Sequence, residues 1–306
     1  MLNAEKSIIR ALAYFNIFNY PLRKDELFSF LDRRYDRAVL ENSLSTLSDA
    51  EVIHHIDEFY SLQKNVFLAD RRKKGNERAE KKLKTAKKIG RFLYCFPFVT
   101  GVAVSGSLSK NYADKDSDID FFILTTRNRL WVARTFMHFF KKLTFLAGWE
   151  HWFCMNYYVD EDAYEIKEKN VFTAMEVLTL YPLFGNSAFR QFFHANKWAR
   201  SYYPLYYPKV NAAEEVRKNI FKSIGEYLLD NRFGAWLNEQ FMSITDRRWE
   251  RKAERNLRSY SGELMGLDAS RHYAKPDPYN FQRKILMRYE QETEAMLLRL
   301  ESANSA

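Results

Sequence analysis

Residues 98–124 read FVTGVAVSGSLSKNYADKDSDIDFFIL. Val99, Val102 and Val104 make an apolar run that stops at Gly106-Ser107. A polar spacer, 108–117, follows. Then come Asp118-Ile119-Asp120 and the apolar run Phe121-Phe122-Ile123-Leu124. The pattern predicts a strand, a Gly-Ser turn, a connecting segment and a second strand. Alternate residues of a strand face the same way, so Asp118 and Asp120 are expected on one side of it. Two carboxylates so placed can hold a hard divalent cation through oxygen, Mg2+ or Mn2+, at a site for in-line phosphoryl displacement. Gly106 lets the backbone come close to a phosphate, and the Ser107 hydroxyl can hydrogen-bond it. Lys110 can neutralise phosphate charge. The bland alternative is a pair of exposed acids on an edge strand. Two acids on one face of an apolar strand are costly without a ligand, which favours the site.

This stretch resembles the DNA polymerase β-like nucleotidyltransferase superfamily. Its signature is Gly-Ser, a spacer, and Asp-x-Asp on a strand, matched by Gly106-Ser107, 108–117 and Ser117-Asp118-Ile119-Asp120. The match is nearest the minimal, kanamycin-nucleotidyltransferase-like branch and covers roughly residues 95–160. The resemblance implies a mixed sheet flanked by helices. It also implies two-metal catalysis and transfer of a nucleoside monophosphate from a nucleoside triphosphate (NTP). Asp118 and Asp120 would be catalytic metal ligands, with Gly106, Ser107 and Lys110 binding the nucleotide. Two departures stand out. Asn111 occupies a position that is often Gly, and Asn tolerates the left-handed conformation that the turn needs. The superfamily takes a third carboxylate from a later strand. Here helix 128–147 leads to strand 151–159, where Trp152, Cys154, Asn156 and Tyr158 share a face. Asn156 thus falls at the third metal position with a neutral amide, and Asp160 and Glu150 at the strand ends are the substitutes.

Upstream, the apolar spacing predicts helices over 5–18, 22–31 and 36–49, the last with Asp36 as N-cap. A hairpin over 51–63 follows. Three short helices and a hairpin resemble a winged helix. The third helix carries Asp36, Glu41 and Asp49 against Arg37, a poor face for phosphates, so packing or protein contact is expected over DNA reading. A basic helix over 70–95 joins this module to the next. The net charge is +9, and residues 71–91, with 11 Lys+Arg and 2 Glu, carry all of it. A solvated helix face is the expectation there, with nucleic acid binding not favoured.

The fold class expected is α+β, in three units. These are a winged-helix-like module over 1–68, a nucleotidyltransferase-fold domain over 69–205 and a helical C-terminal unit over 206–306. Residues 211–306 read as wholly helical, with a Gly- and Pro-bearing loop over 259–277. Helix 170–184 reads as mostly core; Glu176 could face the cleft, and a surface position is the expectation. The aromatic run 202–208 reads as packing between units. Histidines lack the i, i+4 spacing of a zinc site, and Cys154 reads as a buried apolar residue. Two cysteines in 306 residues indicate a reducing cytoplasm, and no stretch reads as a signal peptide or membrane span. The function expected is metal-dependent nucleotidyl transfer to an unknown acceptor. The alternatives are a nucleotide binder without turnover and a winged-helix regulator resembling an antitoxin.

Overall fold

The computed structural model describes residues 2–145, 154–209, 213–216, 219–257 and 265–305. The chain begins with α1 (Leu2–Asn16), β1 (Leu22–Arg23), α2 (Lys24–Ser29), α3 (Arg37–Asp49), β2 (His54–Ile56) and β3 (Phe59–Ser61). The strands form a small antiparallel sheet in the order β1-β3-β2. The helix expected over 22–31 is shorter than its apolar spacing suggested. Leu22 and Arg23 pair with Tyr60 and Phe59, and the helix begins only at Lys24. Leu22 is fully buried by that pairing. Asp36 takes the N-cap place of α3 but makes no capping hydrogen bond.

The basic helix is α4 (Phe67–Tyr94), and it leads into β4 (Val99–Val104), α5 (Gly106–Ser109) and β5 (Asp120–Thr125). Next come α6 (Leu130–Phe145), β6 (Cys154–Asp160), α7 (Val171–Thr179), β7 (Tyr181–Phe184) and α8 (Asn186–Ala195). Helix 170–184 is therefore a helix and a strand. The chain turns extended at Leu180 and pairs with β4, and Pro182 is tolerated because β7 is an edge strand.

After α9 (Ile220–Leu229) and α10 (Arg232–Leu257) comes a hairpin, β8 (Gly266–Ala269) and β9 (Tyr273–Asp277), and then α11 (Phe281–Ser305). The expectation of an all-helical C-terminal unit is corrected here, since β9 pairs with β6 and extends the central sheet. The sheet order is β7-β4-β5-β6-β9-β8, antiparallel except for β5 and β6. Gly266 and Pro276 hid these strands in the sequence. Gly266 starts an edge strand, and β9 meets β6 only at Tyr273 and Ala274, away from Pro276.

The sheet buries both faces. Phe121 and Ile123 pack with Trp131 and Met137 of α6 and Ala86 and Leu93 of α4. Phe122 and Leu124 pack with Ala174, Met175 and Phe192, in a cluster continuous with the N-terminal helices. Residues 202–208 join the two parts, with Phe30 stacked on Tyr206 at 5.0 Å and edge-on to Tyr203 at 5.9 Å. The last helix closes back on the first, with Tyr289 against Tyr14 at 5.9 Å and Glu292 accepting from Asn16 at 3.1 Å. Among the described residues, no helix is long and apolar enough to cross a membrane.

Candidate active site

The Gly-Ser turn sits at one end of the sheet, between β4 and β5. Ser105 N–H donates to the Asp120 carbonyl at 2.9 Å and ties the turn to the start of β5. Gly106 adopts φ +65°. A Cβ at that position would meet Asp120 Oδ2 at 2.7 Å, so both the conformation and the close carboxylate require glycine. Asn111 adopts φ +58°, the left-handed conformation its residue type tolerates. Ser107 is exposed, with its hydroxyl at the surface of the turn.

The spacer is held from behind by α4. Gly75 meets the Tyr112 ring so closely that a Cβ would lie 2.2 Å from it. Asn76 Nδ2 donates to the Asn111 carbonyl at 2.8 Å, and Ala113 N–H donates to the Gly75 carbonyl at 3.1 Å. Lys82 Nζ donates to the Ser117 carbonyl and to Ser117 Oγ, just ahead of Asp118. Arg71 pairs with Asp114 at 3.1 Å. Arg72 is buried, pairs with Glu26 at 2.6 Å and lies 3.7 Å from the Tyr20 ring centre. Tyr20 in turn donates its hydroxyl to the Lys110 carbonyl at 2.6 Å. Much of the basic helix is therefore scaffold for the turn, clamped between it and the N-terminal module.

The carboxylates are not both on the strand. β5 begins at Asp120, and Asp118 lies exposed in the segment just before it. Asp120 is the half-buried acid of the pair. Burial, and then the charges of Glu176 and Asp118, push its carboxyl up to about 6, against hydrogen bonds with Cys154 and Asn156 that act the other way. On the neighbouring strand, Asn156 Nδ2 donates to Asp120 Oδ1 at 2.6 Å, and Cys154 Sγ donates to Asn156 Oδ1 at 3.0 Å. Burial, followed by the charge of Asp120, pushes the Cys154 thiol up to about 11, so it is not a nucleophile.

Two site residues differ from expectation. Glu176 is not a surface residue: α7 directs it to the turn, where it pairs with Lys110 Nζ at 2.7 Å. Lys110 also donates to the Gly106 carbonyl at 3.1 Å, so its ammonium braces the turn from within. No sequence spacing pointed to Glu176, because it stands alone among apolar residues far down the chain. Of the substitutes for Asn156, Glu150 lies outside the described residues. Asp160 is fully buried at the opposite end of β6, where it pairs with Thr125 in register.

A second titratable group surrounds Asp160. Its carboxylate accepts from Asn128 N–H and Asp162 N–H, each at 2.9 Å, and lies 2.9 Å from His272 Nδ1. Asp160, Asp162 and His272 offer ligand atoms within 4.8 Å of one another, a grouping able to hold a metal ion. No spacing in the chain links these three, since His272 reaches β6 only through the β8–β9 hairpin.

Residues 81–183 match the family described as nucleotidyltransferase domain. That span runs from the second half of α4 to β7 and contains the turn, both acids, Asn156, Glu176 and Lys110. Neither the comparison with curated proteins nor that with solved structures gives a match. The family match and the mixed sheet support nucleotidyl transfer as the general chemistry of this segment.

Proposed function

We propose that the chain moves a nucleoside monophosphate from an NTP to an acceptor, with Mg2+ or Mn2+ held by Asp118 and Asp120. The observation that carries the reading is the crowding of acids at the Gly-Ser turn: burial and the charges of Glu176 and Asp118 hold the Asp120 carboxyl near 6. Hard oxygen donors clustered in one place suit a hard cation. Such a cation, when bound, neutralises the triphosphate and the charge that develops during phosphoryl displacement.

The remaining work falls to the chain's own groups. Gly106 leaves the turn's backbone open to a phosphate, and the Ser107 hydroxyl donates to a phosphate oxygen. Asn156 fixes Asp120 through Oδ1. Lys110 holds Glu176 against the turn. In the transfer, the acceptor oxygen bonds to the α-phosphorus, and the bond from that phosphorus to the bridging oxygen breaks. Pyrophosphate leaves with the electron pair. The acceptor's proton must go to a carboxylate. Asn156 is a neutral amide and cannot take it, which leaves Glu176 as the third acid of the group.

A second reading, nucleotide binding without turnover, is favoured by Asn156 at the third metal position. Incubation with Mn2+ and each NTP labelled at the α-phosphate separates the two. Labelled acceptor with released pyrophosphate supports transfer. Mn2+-dependent nucleotide binding without pyrophosphate supports the binder. Failure to bind any NTP contradicts both.

The N-terminal order of elements, with the sheet β1-β3-β2, supports a winged-helix-like module over 1–68 that serves packing. Its α3 directs Arg37 to its own Glu41 at 3.2 Å. Residues 69–205 and 206–306 then form the nucleotidyltransferase-fold and C-terminal units. The free thiols of Cys95 and Cys154 suit a reducing, cytoplasmic setting.

A further inference from the structure

In α4, Arg71, Arg72, Lys73, Lys87 and Arg91 are spent on ion pairs with Asp114, Glu26, Asp57 and Glu214, while Lys74, Lys81, Lys84 and Lys88 stand exposed. On α10, Arg247, Arg248, Arg251, Lys252 and Arg255 line a groove of about 530 Å³ together with Ile244. Among the described residues, no ion pair joins any of these five to an acid. The segment hides this in sequence because acids are interspersed. At 100° per residue, however, the five cations fall within about 140° of the helix circumference. Glu239, Asp246, Glu250 and Glu254 fall within about 80° on the other side.

The groove lies on the part of α10 that follows its contacts with Arg134 of α6. α6 leaves the Thr125 end of β5 and returns toward the end where Asp120 and Cys154 sit. α10 runs alongside it in the same direction. Its start is fixed at the His272 end by Arg271–Glu239 at 3.3 Å and by Asn238, which accepts from Trp131 N–H at 2.9 Å. Further along, Arg134 lies 5.1 Å from the Trp249 ring centre and meets Thr245 at 3.5 Å. The later cations of α10 therefore stand beside the C-terminal half of α6, which adds Lys141 and Lys142. Lys141 is close enough to Cys154 to act on its thiol, one strand residue from the Asp120–Asn156 pair. On α10, about 16 Å before Arg247 at 1.5 Å per residue, Phe233 and Trp236 stack on each other. Their centroids are 5.8 Å apart, and both rings are more than half exposed.

We infer that the α10 groove binds the phosphates of a single-stranded nucleic acid whose end is the acceptor of the nucleotidyl group. The inference rests on the transfer reading for its last clause. The first cations and the last span about 12 Å along the helix, room for two or three phosphates of an extended strand. The Phe233–Trp236 pair supplies a stacking surface for bases that have no partner strand. Arginines dominate the set, the side chain best matched to phosphate oxygens. A free triphosphate would engage only part of so long a row.

The test measures fluorescence anisotropy of a short labelled oligouridine with the full chain carrying Asp118→Asn and Asp120→Asn, so that binding is read without turnover. With two or three phosphates neutralised, log K should fall against log salt with a slope of about −1.4 to −2.1. Adding Arg251→Glu and Arg255→Glu should weaken binding by at least about tenfold at ~50 mM salt and flatten that slope. Adding Lys74→Glu and Lys84→Glu on α4 should leave it unchanged, and circular dichroism and melting check that each variant folds. Absence of RNA binding, indifference to the α10 reversals, or equal capture of poly-glutamate overturns the inference. A parallel titration of wild type with Mg2+ and NTP reports on the transfer reading separately, because it requires no RNA.

Discussion

Replacing Asp120 with Asn should stabilise the metal-free protein at high pH and remove its response to metal. The Asp120 carboxyl ordinarily titrates near 3.8 and is raised in the fold to about 6. A raised carboxyl favours folding while protonated. Its contribution is present below the unfolded value of about 4 and is lost as pH rises through about 6. A shift of roughly two units corresponds to about 3 kcal/mol of penalty on the ionised form at pH 8. Asn keeps an oxygen for the bond from Asn156 Nδ2 and sheds the charge that burial, Glu176 and Asp118 oppose. Loss of the charge-assisted character of that bond returns about 1 kcal/mol, leaving a net gain of about 2 kcal/mol. For a chain of this size that is a rise of about 3 °C in melting temperature at pH 8, shrinking to nothing or reversing near pH 4. Scanning calorimetry without divalent metal, at both pH values, measures it. Mg2+ should then stabilise wild type and leave the variant unmoved. A variant no more stable than wild type at pH 8, or one that Mg2+ stabilises equally, refutes the reasoning.

Asn156→Asp should lower metal-free stability at neutral pH, because it sets a second charge 2.6 Å from Asp120, and should tighten Mg2+ binding by calorimetric titration. Gly106→Ala should lose nucleotide binding and cost about 1–3 kcal/mol in urea unfolding, since φ is +65° and the new Cβ would strike Asp120 Oδ2. Arg72→Ala should cost about 3–5 kcal/mol, because it leaves Glu26 unpaired and empties a buried place over Tyr20. Its unfolding midpoint should fall without any change in the metal dependence of nucleotide binding.

The parts legible in the sequence were those fixed by local pattern. The run from Val99 to Leu124 declares a strand, a turn and a strand through its apolar blocks and its Gly-Ser break. Parallel pairing of β5 with β6, which follows from the helix between them, brings Asn156 near Asp120, although the register shifts between Phe121 and Phe122 and passes Asn156 over, which alternation alone did not foretell. Long-range assembly was not legible. Glu176 lies 66 residues from Lys110 and carries no spacing that links the two. The β8–β9 hairpin was masked by Gly266, which starts the edge strand β8, and by Pro276, which lies in β9 beyond its pairing with β6. His272 was invisible as a partner of Asp160 for the same reason. Most cations of the basic stretch 71–91 are exposed, as expected of a solvated face, with Arg71, Arg72 and Lys82 turned to scaffold, whereas α10 looks balanced until its residues are placed on a helix. That last signal was available, because helical phase separates the cations of α10 from its acids without any structure.

The central claim is that Asp118 and Asp120 hold a divalent cation that binds together with an NTP. Calorimetric titration of wild type with a non-hydrolysable NTP, with and without Mn2+, tests it most directly. The account predicts binding that requires Mn2+ and disappears in both Asp118→Ala and Asp120→Ala, while each variant retains a cooperative melt. Nucleotide binding that is independent of Mn2+, or that survives in both variants, would contradict it.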